Sequence, residues 1–223
     1  MLGFPKETEF NRVVPKNKFY EKADISPSLK ASFVDDIEKI IWTNKLSPDR
    51  LNIGTGSNIE EIEVFHILLK NKDFNQKILE AIDKAIPYYI LFVIEYKGKQ
   101  QVWLGYKEKT NENKVVVSRY FNTNWLKTTN LEIQGNKIDN IYSNFLNQVS
   151  GGLIDLEQGQ DVKEQVDKTI EIEKLEQEIA KLTKKMLVEK QFNRQIEINK
   201  EIKKLTKTLE GLKNGKNGYG NKE

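Results

Sequence analysis

The chain contains no cysteine and a single histidine, His66, among its 223 residues. The absence of cysteine excludes disulfide bonds, thiolate zinc sites and a cysteine nucleophile. A histidine-based metal site would need carboxylates as its remaining ligands, because only one imidazole is present. We therefore expect neither a metal nor a cofactor, and we interpret His66 as a packed residue of a strand.

Long apolar runs are also missing. No apolar stretch reaches the ~18 residues that a membrane helix needs, and the N-terminus, MLGFPKETEFNR, lacks the apolar region of a signal peptide. The expectation is a soluble protein of the cytoplasm that does not associate with a membrane.

An excess of one charge is missing too, since 36 Lys and Arg residues face 33 Asp and Glu residues. A dedicated nucleic-acid binder usually has a clustered basic excess, whereas acidic and basic residues alternate here along most of the chain. Nucleic-acid binding remains an alternative. Bases would stack on aromatic residues that lie among basic ones, as in the group Tyr106, Lys107, Arg119 and Tyr120.

The most apolar stretch lies within residues 85–108, AIPYYILFVIEYKGKQQVWLGYKE. Two extended patterns flank Lys97-Gly98-Lys99, which predicts a β-hairpin at the centre of a sheet. Further patterns predict helices over residues 26–46, 73–86 and 138–149, and strands over residues 59–70, 114–121 and 131–134. This order predicts an α+β domain over residues 1–152, with a mainly antiparallel sheet and helices on one face.

The composition changes at residue 155 and predicts a different architecture for the rest of the chain. We expect a linker over residues 153–161, a charged amphipathic helix or coiled coil over residues 162–212, and a disordered tail over residues 213–223. Apolar residues at spacings of three and four form two seams typical of coiled coils. The seams are Leu175, Ile179, Leu182 and Met186, preceded by Ile172, and then Ile198, Ile202, Leu205 and Leu209, followed by Leu212.

The two seams are out of phase on one straight helix. At ~100° per residue, the second seam lies roughly 120° around from the first, so one two-stranded coil cannot bury both. Either the helix breaks near residues 188–194, or its faces meet different partners. The absence of glycine and proline there favours a continuous helix.

A catalytic alternative rests on Glu95-Tyr96-Lys97. A strand that ends in Glu-x-Lys places a carboxylate and a lysine together in many magnesium-dependent nucleases, in which an upstream aspartate completes the metal site. Asp83 is the nearest candidate, but the pattern predicts a helix at that position. We therefore interpret Glu95 and Lys97 as residues of the hairpin, with the nuclease as the alternative.

Three long segments carry a resemblance to a known family. FVDDIEKIIWTNKLSPDRLNI, IEEIEVFHILLK and LEAIDKAIPYYILFVIEYKGKQQVWLGYKE resemble a bacterial family, domain-of-unknown-function family 4391, over roughly residues 1–150, and KQFNRQIEINKEIKKL is similar to its charged tail. The resemblance implies gene clusters with a helicase and a DNA methyltransferase, of the restriction-modification or phage-defence kind. The resemblance assigns no active-site residues in this sequence.

The expected function is a non-catalytic interaction subunit of such a system. We expect a protein partner to bind the C-terminal helix through the two seams, either as self-association or as contact with a helicase or methyltransferase subunit. A magnesium-dependent nuclease and a nucleic-acid-binding module are the alternatives.

Overall fold

The computed structural model describes residues 2–23, 25–109, 115–154 and 162–214. The chain divides into two units, Met1–Gly152 and Leu153–Glu223. Most of the predicted linker and of the predicted disordered tail lies outside the described residues.

Within the described part of the first unit, six strands form one sheet in the order in which they occur along the chain. Neighbouring strands are antiparallel except β3 and β4, which are parallel. The strands are β1 (Glu9–Val13), β2 (Ile37–Leu46), β3 (Ile62–Leu69), β4 (Tyr89–Tyr96), β5 (Lys99–Lys109) and β6 (Val115–Asn122). The helices are α1 (Asn17–Lys22), α2 (Pro27–Asp36), α3 (Pro48–Leu51), α4 (Lys77–Ala85) and α5 (Ile138–Val149). The predicted α+β fold class with a mainly antiparallel sheet is confirmed, but helices cover both faces of the sheet and not one face as predicted, since α5 lies opposite α1, α2 and α4.

The side chains of β4 lie alternately on the two faces of this sheet. Ile90, Phe92 and Ile94 belong to a buried cluster that also contains residues of α1, α2 and α4. On the other face, the Tyr89 ring contacts the ring of Tyr142 in α5, with 4.7 Å between the ring centroids. Because both faces of β4 are covered, its side chains form a continuous apolar run rather than an alternating one.

The hairpin at the centre of the sequence is present as predicted. β4 pairs with β5 through a two-residue turn in which Lys97 and Gly98 both have positive φ, at 47° and 73°. Two consecutive positive φ values give the turn whose twist matches that of a hairpin. β4 is an interior strand, since it also pairs with β3.

The prediction of a helix over residues 26–46 is correct for the first half of this range and wrong for the second. α2 begins at Pro27, with the Ser26 hydroxyl accepting a hydrogen bond from the Leu29 amide, but it ends at Asp36 and the chain continues as β2. The β2 segment pairs with β3 along its length. The apolar spacing of Ile37, Ile40 and Ile41 fits a helix as well as an irregular strand, and pairing with β3 decides between them. Residues 131–134, predicted as an edge strand, are not in a strand.

The described part of the second unit is a pair of helices. They are α6 (Val162–Val188) and α7 (Phe192–Asn214), and they contact each other. The preferred continuous helix is therefore wrong, and the break lies in the predicted interval. Lys213 Nζ of α7 is 2.6 Å from Glu176 Oε1 of α6. We call α6 and α7 together the helical hairpin.

The break between α6 and α7 contains neither glycine nor proline, and hydrogen bonds of Glu189 stabilise the turn. Its Oε1 accepts hydrogen bonds from the backbone amides of Lys190 and Gln191, at 2.9 and 3.0 Å. The side-chain amide of Gln195 donates to the Glu189 carbonyl oxygen at 2.7 Å. The hydrogen bond from the Gln191 backbone amide is the main cause of the lowered pKa of Glu189. Both amides precede α7, which begins at Phe192, so the Glu189 carboxylate holds the turn between the two helices together. None of the described helices is long and apolar enough to span a membrane.

Candidate functional site

Glu95 lies near the end of β4 and contacts the single histidine of the chain. His66 Nε2 is 2.9 Å from Glu95 Oε2, and the Gln100 amide donates a hydrogen bond to the same oxygen at 3.0 Å. Burial lowers the pKa of His66 from its ordinary value of 6.5, and Glu95 opposes that shift. Neighbouring strands on both sides thus hold the Glu95 carboxylate, and His66 is a hydrogen-bonded residue of β3.

Lys97 lies in the hairpin turn, directly after the last residue of β4. Its amino group is 5.3 Å from the centre of the Tyr96 ring. Tyr96 packs against the buried cluster of α1, α2 and α4, whereas Glu95 alternates with it and pairs with His66. Residues two apart in a strand share a face, but Lys97 lies beyond the end of β4 and has a positive φ of 47°. Its amino group lies over the Tyr96 ring, whereas the Glu95 carboxylate binds His66 and Gln100.

Asp83 of α4 is part of a buried polar cluster. Its Oδ1 is 2.9 Å from Lys107 Nζ of β5, and both side chains are less than a tenth exposed. The Tyr120 hydroxyl donates a short hydrogen bond to Asp83 Oδ2, and Lys107 also donates to the Tyr88 carbonyl oxygen at 2.7 Å. Burial raises the pKa of Asp83, and Lys107 counteracts it. We call Asp83, Lys107 and Tyr120 the buried triad.

The buried triad concerns two alternative functions, the magnesium-dependent nuclease and the nucleic-acid-binding module. Asp83 is engaged by Lys107 and Tyr120, so Asp83, Glu95 and Lys97 do not share one site. No group of three or more His, Asp or Glu residues in the described ranges could hold a metal ion. Two members of the aromatic and basic group considered for base stacking, Lys107 and Tyr120, also direct their polar atoms to Asp83 rather than to solvent.

The His66 and Glu95 pair leads to a prediction about titration. We expect Glu95→Gln to lower the pKa of His66 further, because it removes the charge that opposes desolvation. Proton NMR of the ring can follow this without assignment, since the chain has one histidine. Because the folded pKa is below the unfolded one, the folded protein binds fewer protons, and stability should fall as the pH drops below about 6.5. Glu80→Gln, on an exposed face of α4, is the matched control, and a His66 pKa above 6.5 in the parent would contradict this assignment.

The eight residues predicted to bind a partner all lie in the helical hairpin. Seven are partly buried and one, Ile198, is buried. α6 and α7 contact each other, and the break between them means that the two seams need not lie on one straight helix. The first seam is Leu175, Ile179, Leu182 and Met186, and the second is Ile198, Ile202, Leu205 and Leu209. Their binding to another protein remains a prediction.

The turn of the helical hairpin carries apolar side chains that are much more exposed than either seam. Leu187, Val188 and Phe192 are 75%, 76% and 72% exposed. We call these three residues the apolar tip. Leu, Val and Phe are among the residue types most often fully buried.

A cavity of about 290 Å³ lies between α1, the end of α4 and strands β2 and β3. Its walls are apolar and aromatic, and the exposed lysines Lys18 and Lys22 of α1 also line it. Phe19, Trp42, Phe65, Pro87 and Tyr88 are among the wall residues. We call it the Glu63 cavity, after the one carboxylate that lines it.

Glu63 is only 1% exposed, and both of its carboxyl oxygens are closed off from solvent. Glu61 and Trp42 are the side chains that interact with this carboxyl group by hydrogen bonding. Burial and then Glu61 raise the pKa of Glu63 to about 8, while Lys45, which pairs with Glu61 at 2.5 Å, lowers it. Our sequence reasoning did not single out Glu63. The available signal was its alternation with Phe65, Ile67 and Leu69, which places a carboxylate on an inward face.

The geometry defines a two-unit protein, an α+β domain with a sheet covered on both faces and a helical hairpin with an exposed turn. The family described as domain of unknown function (DUF4391) matches residues 2–209, so the chain belongs to that family. The resemblance stated from the sequence is thereby confirmed. No curated protein and no solved structure matches the chain.

Proposed function

We propose that this protein is a non-catalytic interaction subunit of a bacterial DNA restriction or phage-defence system, and that the apolar tip binds a protein partner. The exposure of Leu187, Val188 and Phe192 carries the proposal. The resemblance of the sequence supplies the cellular setting and the expected partner, a helicase or methyltransferase subunit. The fold by itself does not imply this function.

The energetic argument concerns the three side chains of the tip. Full burial of a Leu, Val or Phe side chain contributes about 1.5–3 kcal/mol relative to exposure. Here that contribution is withheld from folding, since the tip is three-quarters exposed. A groove that accepts all three side chains would gain several such contributions, which makes the tip a suitable anchor for binding.

The charges near the tip indicate what kind of partner fits. Lys184, Lys185, Lys190 and Arg194 flank it and are all exposed. A second copy of the tip would bring like charges together, which disfavours self-association at this surface. The surface is complementary to an apolar groove with an acidic rim. We therefore propose a different protein as the partner, rather than a second copy of this chain.

The test is co-purification with the helicase and the methyltransferase of the same gene cluster, both co-expressed with the full chain. We expect one of them to be retained by the parent and lost from Leu187→Ser/Val188→Ser/Phe192→Ser, with little change in the melting temperature, because the replaced side chains contribute little to folding. Val115→Ser/Val116→Ser is the matched control, since these β6 side chains are 49% and 43% exposed.

Three results would contradict the proposal. The first is equal retention of the partner by the parent and the tip variant. The second is light scattering that shows a parent dimer and a monomeric tip variant, which would indicate self-association. The third is Mg²⁺-dependent cleavage of DNA that Glu95→Gln abolishes, which would support the nuclease. If the parent protein binds short nucleic-acid duplexes without any partner protein, and if that binding weakens strongly as salt is added, the nucleic-acid-binding alternative is favoured.

A further inference from the structure

The Glu63 cavity is lined almost entirely by carbon atoms. Trp42, Phe65 and Tyr88 contribute aromatic surface to its walls. Almost no polar atom is accessible from inside the cavity, and the carboxyl oxygens of Glu63 are closed off. A ligand that brought hydrogen-bonding groups into this space would leave them without partners, which costs free energy. The part of a ligand that lies inside the cavity is therefore hydrocarbon.

The rim of the cavity is positively charged. Lys18 and Lys22 are four residues apart in α1, so their side chains share one face of that helix. Both residues line the cavity and both are exposed. Because almost no polar atom lines the walls, the lysines contribute their aliphatic stems, and their ammonium groups stay in water beside the opening. Within the described residues, no carboxylate forms an ion pair with either lysine. The rim is therefore suited to an anionic group.

We propose that the Glu63 cavity binds a medium-chain carboxylate, with the acyl chain against the aromatic walls and the carboxylate on the ammonium groups of Lys18 and Lys22. An acyl chain carries no hydrogen-bonding group into the cavity, and its one charged end remains at the rim. This inference concerns the first unit and does not rest on the apolar tip. Its failure would leave the proposed partner binding untouched.

The volume of the cavity sets the length of the chain. At about 290 Å³, the cavity is at the small end of the range for ligand pockets. Since a methylene group is about as large as a water molecule, which occupies about 30 Å³, the cavity has room for a chain of roughly eight to ten carbons. A longer chain would extend out of the opening and gain no further contact with the walls.

The size of the cavity also favours a small molecule over a protein partner. A stable protein interface involves about 20–30 residues on each side, whereas this cavity has room for only one large side chain. The same space encloses most of a medium-chain carboxylate, and small-molecule sites bury most of the surface of their ligand. The side chain of a partner protein is therefore the competing occupant, and the experiment below includes it.

The test is calorimetric titration of the full chain with butanoate, hexanoate, octanoate, decanoate and dodecanoate, each below its critical micelle concentration. We expect affinity to increase roughly fourfold with each added methylene, as apolar burial does, and to stop increasing at about ten carbons, when the cavity is full. Octanol, which lacks the charge, should bind roughly tenfold more weakly than octanoate. Added salt should weaken the binding of octanoate and not that of octanol.

Two pairs of variants test the assigned roles, and the first concerns the walls. Ala85→Phe fills the cavity from its wall and should abolish the binding of octanoate in a protein that remains folded. Ala31→Phe, at an exposed alanine of α2 outside the cavity, is the matched control and should bind octanoate as the parent does. Val14→Phe fills the cavity from the segment between β1 and α1 and takes the place of Ala85→Phe if that variant does not fold.

The second pair of variants concerns the rim. Lys18→Ala/Lys22→Ala should weaken the binding of octanoate roughly tenfold and leave that of octanol unchanged. Lys72→Ala/Lys77→Ala removes the same charge at two exposed positions outside the cavity and should change neither affinity.

The proposal is overturned if none of the carboxylates binds at millimolar concentration, or if the filled-cavity variant, shown to be folded by circular dichroism, binds octanoate as the parent does. Affinity that continues to increase up to dodecanoate would show association with open apolar surface instead of the cavity. Octyltrimethylammonium that binds as tightly as octanoate would show that the rim does not select an anion. A short peptide with phenylalanine between two aspartates is the probe for a protein side chain, and if it binds more tightly than decanoate, the assignment to a carboxylate is wrong.

Discussion

Lys107→Met is expected to destabilise the protein by about 3–5 kcal/mol, because it leaves the Asp83 carboxylate buried without its cation. Both side chains of the pair are almost fully buried, at 6% and 3% exposure, and their charged atoms are 2.9 Å apart. The variant also loses the hydrogen bond from Lys107 to the Tyr88 carbonyl oxygen. Urea unfolding followed by tryptophan fluorescence measures the change.

The pH dependence of this variant identifies the cause. Burial raises the pKa of Asp83 above 3.8, and Lys107 holds it down, so removing Lys107 raises it further. A carboxyl group whose pKa is higher in the folded than in the unfolded state binds more protons when the protein is folded. Stability therefore increases as the pH falls toward the pKa of the unfolded state. We expect the deficit of Lys107→Met to shrink on acidification, as Asp83 becomes neutral.

A matched variant separates the lost ion pair from lost packing. Replacing the whole buried triad, as Asp83→Leu/Lys107→Met/Tyr120→Phe, removes every charge at once. Buried ion pairs replaced by apolar residues of similar volume are often neutral in stability, so the triple variant should be more stable than Lys107→Met alone. A triple variant that is less stable than the single one would show that the triad contributes chiefly through packing.

Phe92→Ala is expected to cost about 3–5 kcal/mol and to bring the first unit close to unfolding. Phe92 is fully buried at the middle of β4, and its strand neighbours are Phe65 and Trp103. Strands pair on both sides of β4, so the surroundings cannot collapse into the space that the ring leaves. Thermal unfolding followed by circular dichroism provides the measurement.

Val116→Ala on β6 is the matched control for Phe92→Ala, since this valine is 43% exposed. We expect its effect to be within about 0.5 kcal/mol, as for surface substitutions away from special features. If Phe92→Ala melts within a degree or two of the parent, β4 is not the central strand of the core.

Sequence periodicity predicted the elements that carry their own signals. The β4–β5 hairpin is marked by β-branched and aromatic runs around Gly98, and α5 by an apolar face that Gly151 ends. The β2 segment had no such signal. Its isoleucine spacing is ambiguous between helix and strand, and only the pairing with β3, distant in sequence, resolves it.

The sites were harder to predict than the fold, for a physical reason. Glu95, Lys97 and Asp83 are near one another in sequence, but their side chains have different partners: His66 for Glu95, the Tyr96 ring for Lys97, and Lys107 for Asp83. Lys107 lies 24 residues from Asp83 along the chain, yet is its ion-pair partner. The break at Glu189 was missed because residues 188–194 contain neither glycine nor proline, and a glutamate that binds the backbone amides of the turn is not a usual marker of a helix end.

The order of strands in the sheet has a consequence for how the protein is made. Each strand pairs with the strand that precedes it in the chain, so no pairing must wait for a distant segment. Sheets dominated by nearby pairings have low contact order and fold faster than those with long-range ones. During translation, each strand after β1 leaves the ribosome later than the strand that it pairs with, so the order of synthesis is compatible with growth of the sheet from β1. Such a nascent sheet would have two edges, β1 and the newest strand.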